Sequence, residues 1–252
     1  MRRLLLPGLL LVLPLTACGG DQDDQTLTVL AAASLTETFT ELAEEFEGDH
    51  PGVDVELVFG SSTALAEQAV DGAPGAVLAT ADERSMTLAE DGNALGGDPD
   101  AFVSNRLTLV TPPDNPAGID SLTDLDDAGV DYVVCARTAP CGAAAVAVLE
   151  GAGITAPPAS EEVDVKAVLA RIVQGEADAG LVYRTDAVSA GDDIAEVPVI
   201  DADAYATNYF VAPLHNDDGG SQDLVEEFVT LLGSNRAAQV FDRAGFGEVV
   251  RQ

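Results

Sequence analysis

The chain has 252 residues, with 44 acidic side chains against 11 lysines and arginines and a formal net charge of −33. A phosphate backbone needs a basic face, so this balance excludes nucleic acid as a partner. An acidic surface with one lysine, Lys166, suits a protein kept soluble outside the cell.

The first residues, Met1-Arg2-Arg3, are basic, and the Leu-rich stretch 4–15 that follows is too short to span a bilayer. This is a secretory signal. Its end, Leu15-Thr16-Ala17-Cys18, is similar to the lipobox of bacterial lipoproteins. That resemblance implies a signal peptide at 1–17, a lipid on Cys18, and a flexible Gly/Asp-rich tether completing 18–26. It also implies a protein exported and anchored to the outer face of the cell membrane.

The run 27–33 predicts a strand that ends at Ser34. Leu35, Phe39, Leu42, Ala43 and Phe46 then recur on one helical face. Ser34 with Glu37 three residues later predicts a capping box at the start of that helix. A helix start after a parallel strand presents unpaired N–H groups and the positive end of a dipole, an anion-binding arrangement.

Further along, the pattern predicts strands at 53–59, 76–80, 106–111, 132–136, 179–183, 197–200 and 208–213. It predicts helices at 63–70, 82–90, 141–151, 165–173, 221–233 and 235–243, with a helical turn at 121–125. Such alternation indicates α/β architecture with mostly parallel sheets. Cys135 and Cys141 have five residues between them, and in an exported protein a small-loop disulfide is favoured over a metal pair or free thiols. His50 and His215 stand in loop-like sequence, and no metal-ligand cluster or cofactor motif is present.

Several strand-to-helix junctions repeat the feature at Ser34. The segments are Ala31-Ala32-Ala33-Ser34-Leu35-Thr36, Phe59-Gly60-Ser61-Ser62, Gly72-Ala73-Pro74 and Ala81-Asp82, followed by Pro140-Cys141-Gly142 and Asp164-Val165. Leu181-Val182-Tyr183 with Asp186-Ala187, and Phe241 with Gly245-Phe246, complete the series. In this order the chain resembles the periplasmic molybdate-binding proteins of ABC importers, from about Leu27 to Phe246.

The resemblance implies a type II periplasmic binding protein fold with two crossing strands as hinge. Lobe one would comprise 27–105 plus 211–252, and lobe two 106–210. It also implies an oxyanion, molybdate or tungstate, held by neutral donors: Ser34 and Ser62 through hydroxyl and amide, Cys141 and Val165 through the amide, Tyr183 through its phenol. No metal ion would be ligated directly. The implied partners are an ABC permease and its ATPase, with the binding protein a monomer. Two positions depart from the family: Gly75-Ala76 follows Gly-Ala-Pro where a small residue and aspartate are common, and Cys141 stands where alanine is usual.

A donor-only site suits a tetrahedral dianion, which offers acceptor oxygens alone, and rejects species that must donate a proton. Sulfate is the competing oxyanion. A serine hydrolase acting through Ser34 or Ser62 is disfavoured, because neither histidine has a partner of the right type and no Gly-x-Ser-x-Gly elbow occurs.

Overall fold

The computed structural model describes residues 25–215 and 221–251. The signal peptide, Cys18 and most of the tether lie outside the described residues. The tether's last two residues do not: β1 (Gln25–Ala32) begins at Gln25, which pairs with Val53, while Thr26 pairs with Asp54.

Two five-stranded sheets share one plan. In the first, β1 pairs in parallel with β2 (Val53–Gly60) and β3 (Val77–Thr80). The antiparallel β10 (Thr207–Pro213) then joins β3 to β4 (Asp100–Asn105). In the second, β6 (Tyr132–Cys135) pairs in parallel with β7 (Ser160–Glu162) and β8 (Ala179–Tyr183). The antiparallel β5 (Leu107–Thr111) joins β8 to β9 (Ala195–Val197). The orders are β2-β1-β3-β10-β4 and β7-β6-β8-β5-β9. One strand in each sheet runs against the other four, so both are mostly parallel.

The helices follow the strands as the apolar spacing requires. On α1 (Thr36–Asp49) the residues Phe39, Leu42, Ala43 and Phe46 are buried. They meet α7 (Gln222–Leu232) and α8 (Asn235–Ala244) in an aromatic cluster of Phe39, Phe46, Phe102, Phe228 and Phe241. The first sheet also carries α2 (Ser62–Val70) and α3 (Glu83–Asp91), and the second α4 (Pro140–Ala152), α5 (Val165–Val173) and α6 (Arg184–Ala190).

The expected hinge differs in detail. β10 lies wholly in the first sheet, so residues 207–210 belong with lobe one rather than lobe two. Neither β5 nor β10 spans both sheets. The chain crosses at Asn105-Arg106, between β4 and β5, and again between β9 and β10. The strand expected at 197–200 is instead β9, ending at Val197: Pro198 has no N–H to continue a ladder, and Ile200 is 83% exposed.

Candidate oxyanion site

The cavity that matters lies where helix starts converge. A hollow of ≈ 20 Å³ is lined by Ala33, Ser34, Ser62, Cys141, Val165 and Tyr183 among others. All five residues expected as ligands are buried around it. Its size suits one compact group, since a single water needs about 10–15 Å³.

Each wall has a local cause. Ser62 is the first residue of α2 and Val165 the first of α5, while Pro140 opens α4 and places Cys141 next. The first amides of a helix have no intrahelical acceptor, so these starts direct N–H groups and dipole ends at the hollow. Asp164 also lines it, with one carboxylate oxygen accepting the Ala167 amide at 2.9 Å as the α5 N-cap.

Cys135 and Cys141 are joined by a disulfide, Cα–Cα 5.7 Å, that staples the end of β6 to the start of α4. Gly142 lets that start press on the strand end, where a Cβ would overlap the Ala136 carbonyl oxygen.

Hydroxyl polarity at Ser62 is set by its neighbour. The Ala81 amide donates to Ser62 Oγ at 3.0 Å, and an amide can only donate, so the serine proton remains for a ligand. Ser34 differs from the expected capping box. It lies in a 3-10 turn (Ala33–Leu35), α1 starts after it at Thr36, and Leu35 is the N-cap with no side-chain bond. Ser34 Oγ instead lies 2.8 Å from the Tyr209 hydroxyl, and Glu37 turns to Lys166. Losing the capping role leaves Ser34 on the cavity wall.

Tyr183 is 2% exposed, and its hydroxyl forms no hydrogen bond within the protein although Thr207 and Tyr209 lie beside it. Burial, with Asp82 nearby, pushes the phenol far above its ordinary value, so it stays a donor. An orphaned buried hydroxyl facing a small cavity is the mark of a partner supplied from outside.

Lys166, next to Val165, is already neutralised. Lys166 Nζ donates to Glu37 Oε1 at 2.7 Å, across the two halves, and lies 3.0 Å from Asp186 Oδ1. Burial works against the ammonium, but Asp186 and Glu37 outweigh it and hold Lys166 above its ordinary value. Burial likewise opposes charge on Glu37, yet the Lys166 bond holds its carboxyl below the usual range. Asp186, fully buried, is pushed up to about 6 by desolvation, which Lys166 only partly offsets. Among the residues lining the hollow none is Lys or Arg, and three helices start against it.

Other hollows have different chemistry. A groove of ≈ 500 Å³ between α1 and α7 is larger, but Glu45, Asp49, Asp223, Glu226 and Glu227 line it and repel anions. His50 sits there, bonded to the Phe46 carbonyl at 2.8 Å and to Glu227 at 2.6 Å, at the opposite end of α1 from Ser34. Among the described residues no three His, Cys, Asp or Glu side chains gather to hold a metal ion.

The family model for bacterial extracellular solute-binding proteins matches residues 27–247. The chain belongs to that family. A molybdate-binding protein ModA of Mycobacterium tuberculosis H37Rv is 34% identical over 249 residues, spanning 95% of each chain. Two solved structures share the fold of this solute-binding protein. The periplasmic molybdate-binding protein of Azotobacter vinelandii superposes with TM-score 0.73 at 23% identity, over 90% of this chain and 100% of that one. The sulfate-binding protein SubI of Mycobacterium tuberculosis superposes with TM-score 0.74 at 17% identity, over 89% and 87%. Backbone shape thus does not separate the two oxyanions, whereas sequence favours the molybdate relative.

Proposed function

We propose that this solute-binding protein captures molybdate, or its near-isostere tungstate, for an ABC importer. The observation that carries the proposal is the convergence of Ser34, Ser62, Cys141, Val165 and Tyr183, buried together, on one small cavity rich in donors. Hydrogen bonds to a charged group contribute roughly 1.5–3 kcal/mol each. Several together offset desolvation of a dianion without a counter-charge. Salt screens the acidic exterior beyond about 8 Å, so local dipoles govern the cavity.

Function follows from the two sheets as lobes closing about Asn105-Arg106 and the β9–β10 connection. Thr63 Oγ1 and an Arg84 guanidinium nitrogen donate to the Thr138 carbonyl at 2.7 and 3.1 Å, bridging the lobes on one side. Lys166 and Glu37 bridge them on the other. A permease with its ATPase would receive the closed, monomeric form, held at the membrane by the lipid on Cys18.

Calorimetry with molybdate, tungstate, sulfate and hydrogen phosphate tests the assignment. Molybdate and tungstate are expected to bind at least 100-fold more tightly than sulfate. Sulfate binding of equal or greater strength would overturn the substrate in favour of the sulfate alternative.

A further inference from the structure

The two cavity serines must both present protons, but only Ser62 has a backbone amide to enforce it. At Ser34 the partner is Tyr209, a hydroxyl that either gives or takes. The direction is fixed further back. The Arg106 amide donates to Asn105 Oδ1 at 3.0 Å, which orients the Asn105 carboxamide with its nitrogen toward Thr185 and Tyr209. Asn105 Nδ2 donates to Thr185 Oγ1 at 3.0 Å and, with its second hydrogen, to the Tyr209 hydroxyl at 3.4 Å. Tyr209 therefore spends a lone pair on Asn105, which leaves its own proton for Ser34.

We infer that Tyr209, oriented by Asn105 at the lobe crossing, is a positioning residue that turns the Ser34 hydroxyl proton into the oxyanion cavity and so excludes protonated anions. The chain runs from the Arg106 amide through Asn105 and Tyr209 to Ser34, each member giving a proton forward and accepting one from behind. Asn105 is 3%, Tyr209 0% and Ser34 3% exposed, so water does not compete for these bonds. Burial, together with neighbouring Tyr183, keeps the Tyr209 phenol protonated. Among the described residues Ser34 Oγ has no other hydrogen-bond partner, which leaves its proton for the cavity it lines.

The consequence is one of specificity. A serine hydroxyl free to rotate offers either a proton or a lone pair, and so tolerates a ligand such as hydrogen phosphate that must donate. A serine already accepting from Tyr209 offers its proton first. The anchor at Asn105 also ties this polarity to the segment linking the lobes, since Thr185 belongs to the second lobe and Tyr209 to the first.

The inference rests on the cavity being the oxyanion site, and a double-mutant cycle separates the two. Calorimetry with molybdate compares the purified protein with Ser34→Ala, Tyr209→Phe and the double variant. Tyr209→Phe keeps the ring against Phe102 and Phe246 and removes the hydroxyl, with its bonds to Ser34 and Asn105. It is expected to weaken molybdate about tenfold when Ser34 is present and by less than about twofold in the Ser34→Ala background. Hydrogen phosphate should also displace molybdate from Tyr209→Phe at a lower concentration ratio than from wild type. Equal losses in both backgrounds, no loss at all, or an unchanged phosphate ratio would overturn the relay. The cycle reads through any shared loss of stability, because both backgrounds carry the same substitution. Wild-type affinity in Ser34→Ala would overturn the cavity assignment itself, and the relay with it.

Discussion

The two lobes reach the same cavity with the same strand order but offer it different chemistry. In the proposed site the first contributes side-chain hydroxyls, Ser62 accepting from the Ala81 amide and Ser34 bonded to Tyr209. The second is proposed to contribute amides at Cys141 and Val165, backed by the disulfide at the start of α4 and by Lys166 next to Val165, with the Tyr183 phenol between. A hydroxyl needs an orienting partner because it rotates. An amide needs only a rigid backbone. One lobe is therefore organised through hydrogen-bond direction and the other through stiffness, and substitutions should separate these two modes.

The largest effect is expected in the second lobe. Lys166→Met leaves the buried Asp186 carboxylate unpaired and removes the bridge to Glu37, at a cost of about 3 kcal/mol in stability at neutral pH. That is the lower end of the range, because Lys166 keeps 26% of its side-chain surface exposed. Asp186 sits near 6 in the fold against an ordinary 3.8, so the folded protein holds this proton more tightly than the unfolded chain. Its contribution to stability declines as pH rises through that window and recovers as pH falls below it. Urea melts across that range should show the variant's deficit shrinking in acid; a deficit independent of pH would place the effect elsewhere.

In the first lobe, Ser62→Ala removes one donor to the anion and strands the buried Ala81 amide. The expected loss is about 2–3 kcal/mol of molybdate binding, measured by calorimetry, and the unpaired Ala81 amide lowers stability by about 1–3 kcal/mol as well. Removing the disulfide with the Cys135→Ser, Cys141→Ser pair should act chiefly on stability. Closing so short a loop accounts for about 2 kcal/mol of stability. Affinity should fall less than in Ser62→Ala, since the donor proposed at Cys141 is an amide that survives the change. A larger affinity loss from the disulfide pair than from Ser62→Ala would reverse the assignment of stiffness and direction to the two lobes.

What was legible in the sequence follows the same division. Apolar spacing predicts α1, α5, α7 and α8 because each buries one face, and the strands β1 and β8 because their residues go inward together. The junction motifs predict which residues meet at the cavity. Missing from the pattern are β7, a polar edge strand reading Ser-Glu-Glu, β4, whose first half is exposed, and α6, whose buried residues are Thr185, Asp186 and only the small Ala187. Ser34 misleads for a related reason. Ser-x-x-Glu is a local capping signal, but Ser34 finds Tyr209 and Glu37 finds Lys166, partners 175 and 129 residues away. Tyr209 and Asn105 carry no local motif, since their roles exist only once β4 and β10 lie side by side.

Lys166 has one more consequence. It is the only lysine of the 252 residues, and its ε-ammonium joins two carboxylates across the seam between the lobes. An amine-selective acylating reagent therefore addresses one internal position, and only when that nitrogen is both deprotonated and free of its carboxylate partners. For the proposed closure this makes a chemical clock: the rate of modification would count excursions to an open form, and its slowing by an added anion would report how long that anion keeps the cleft shut.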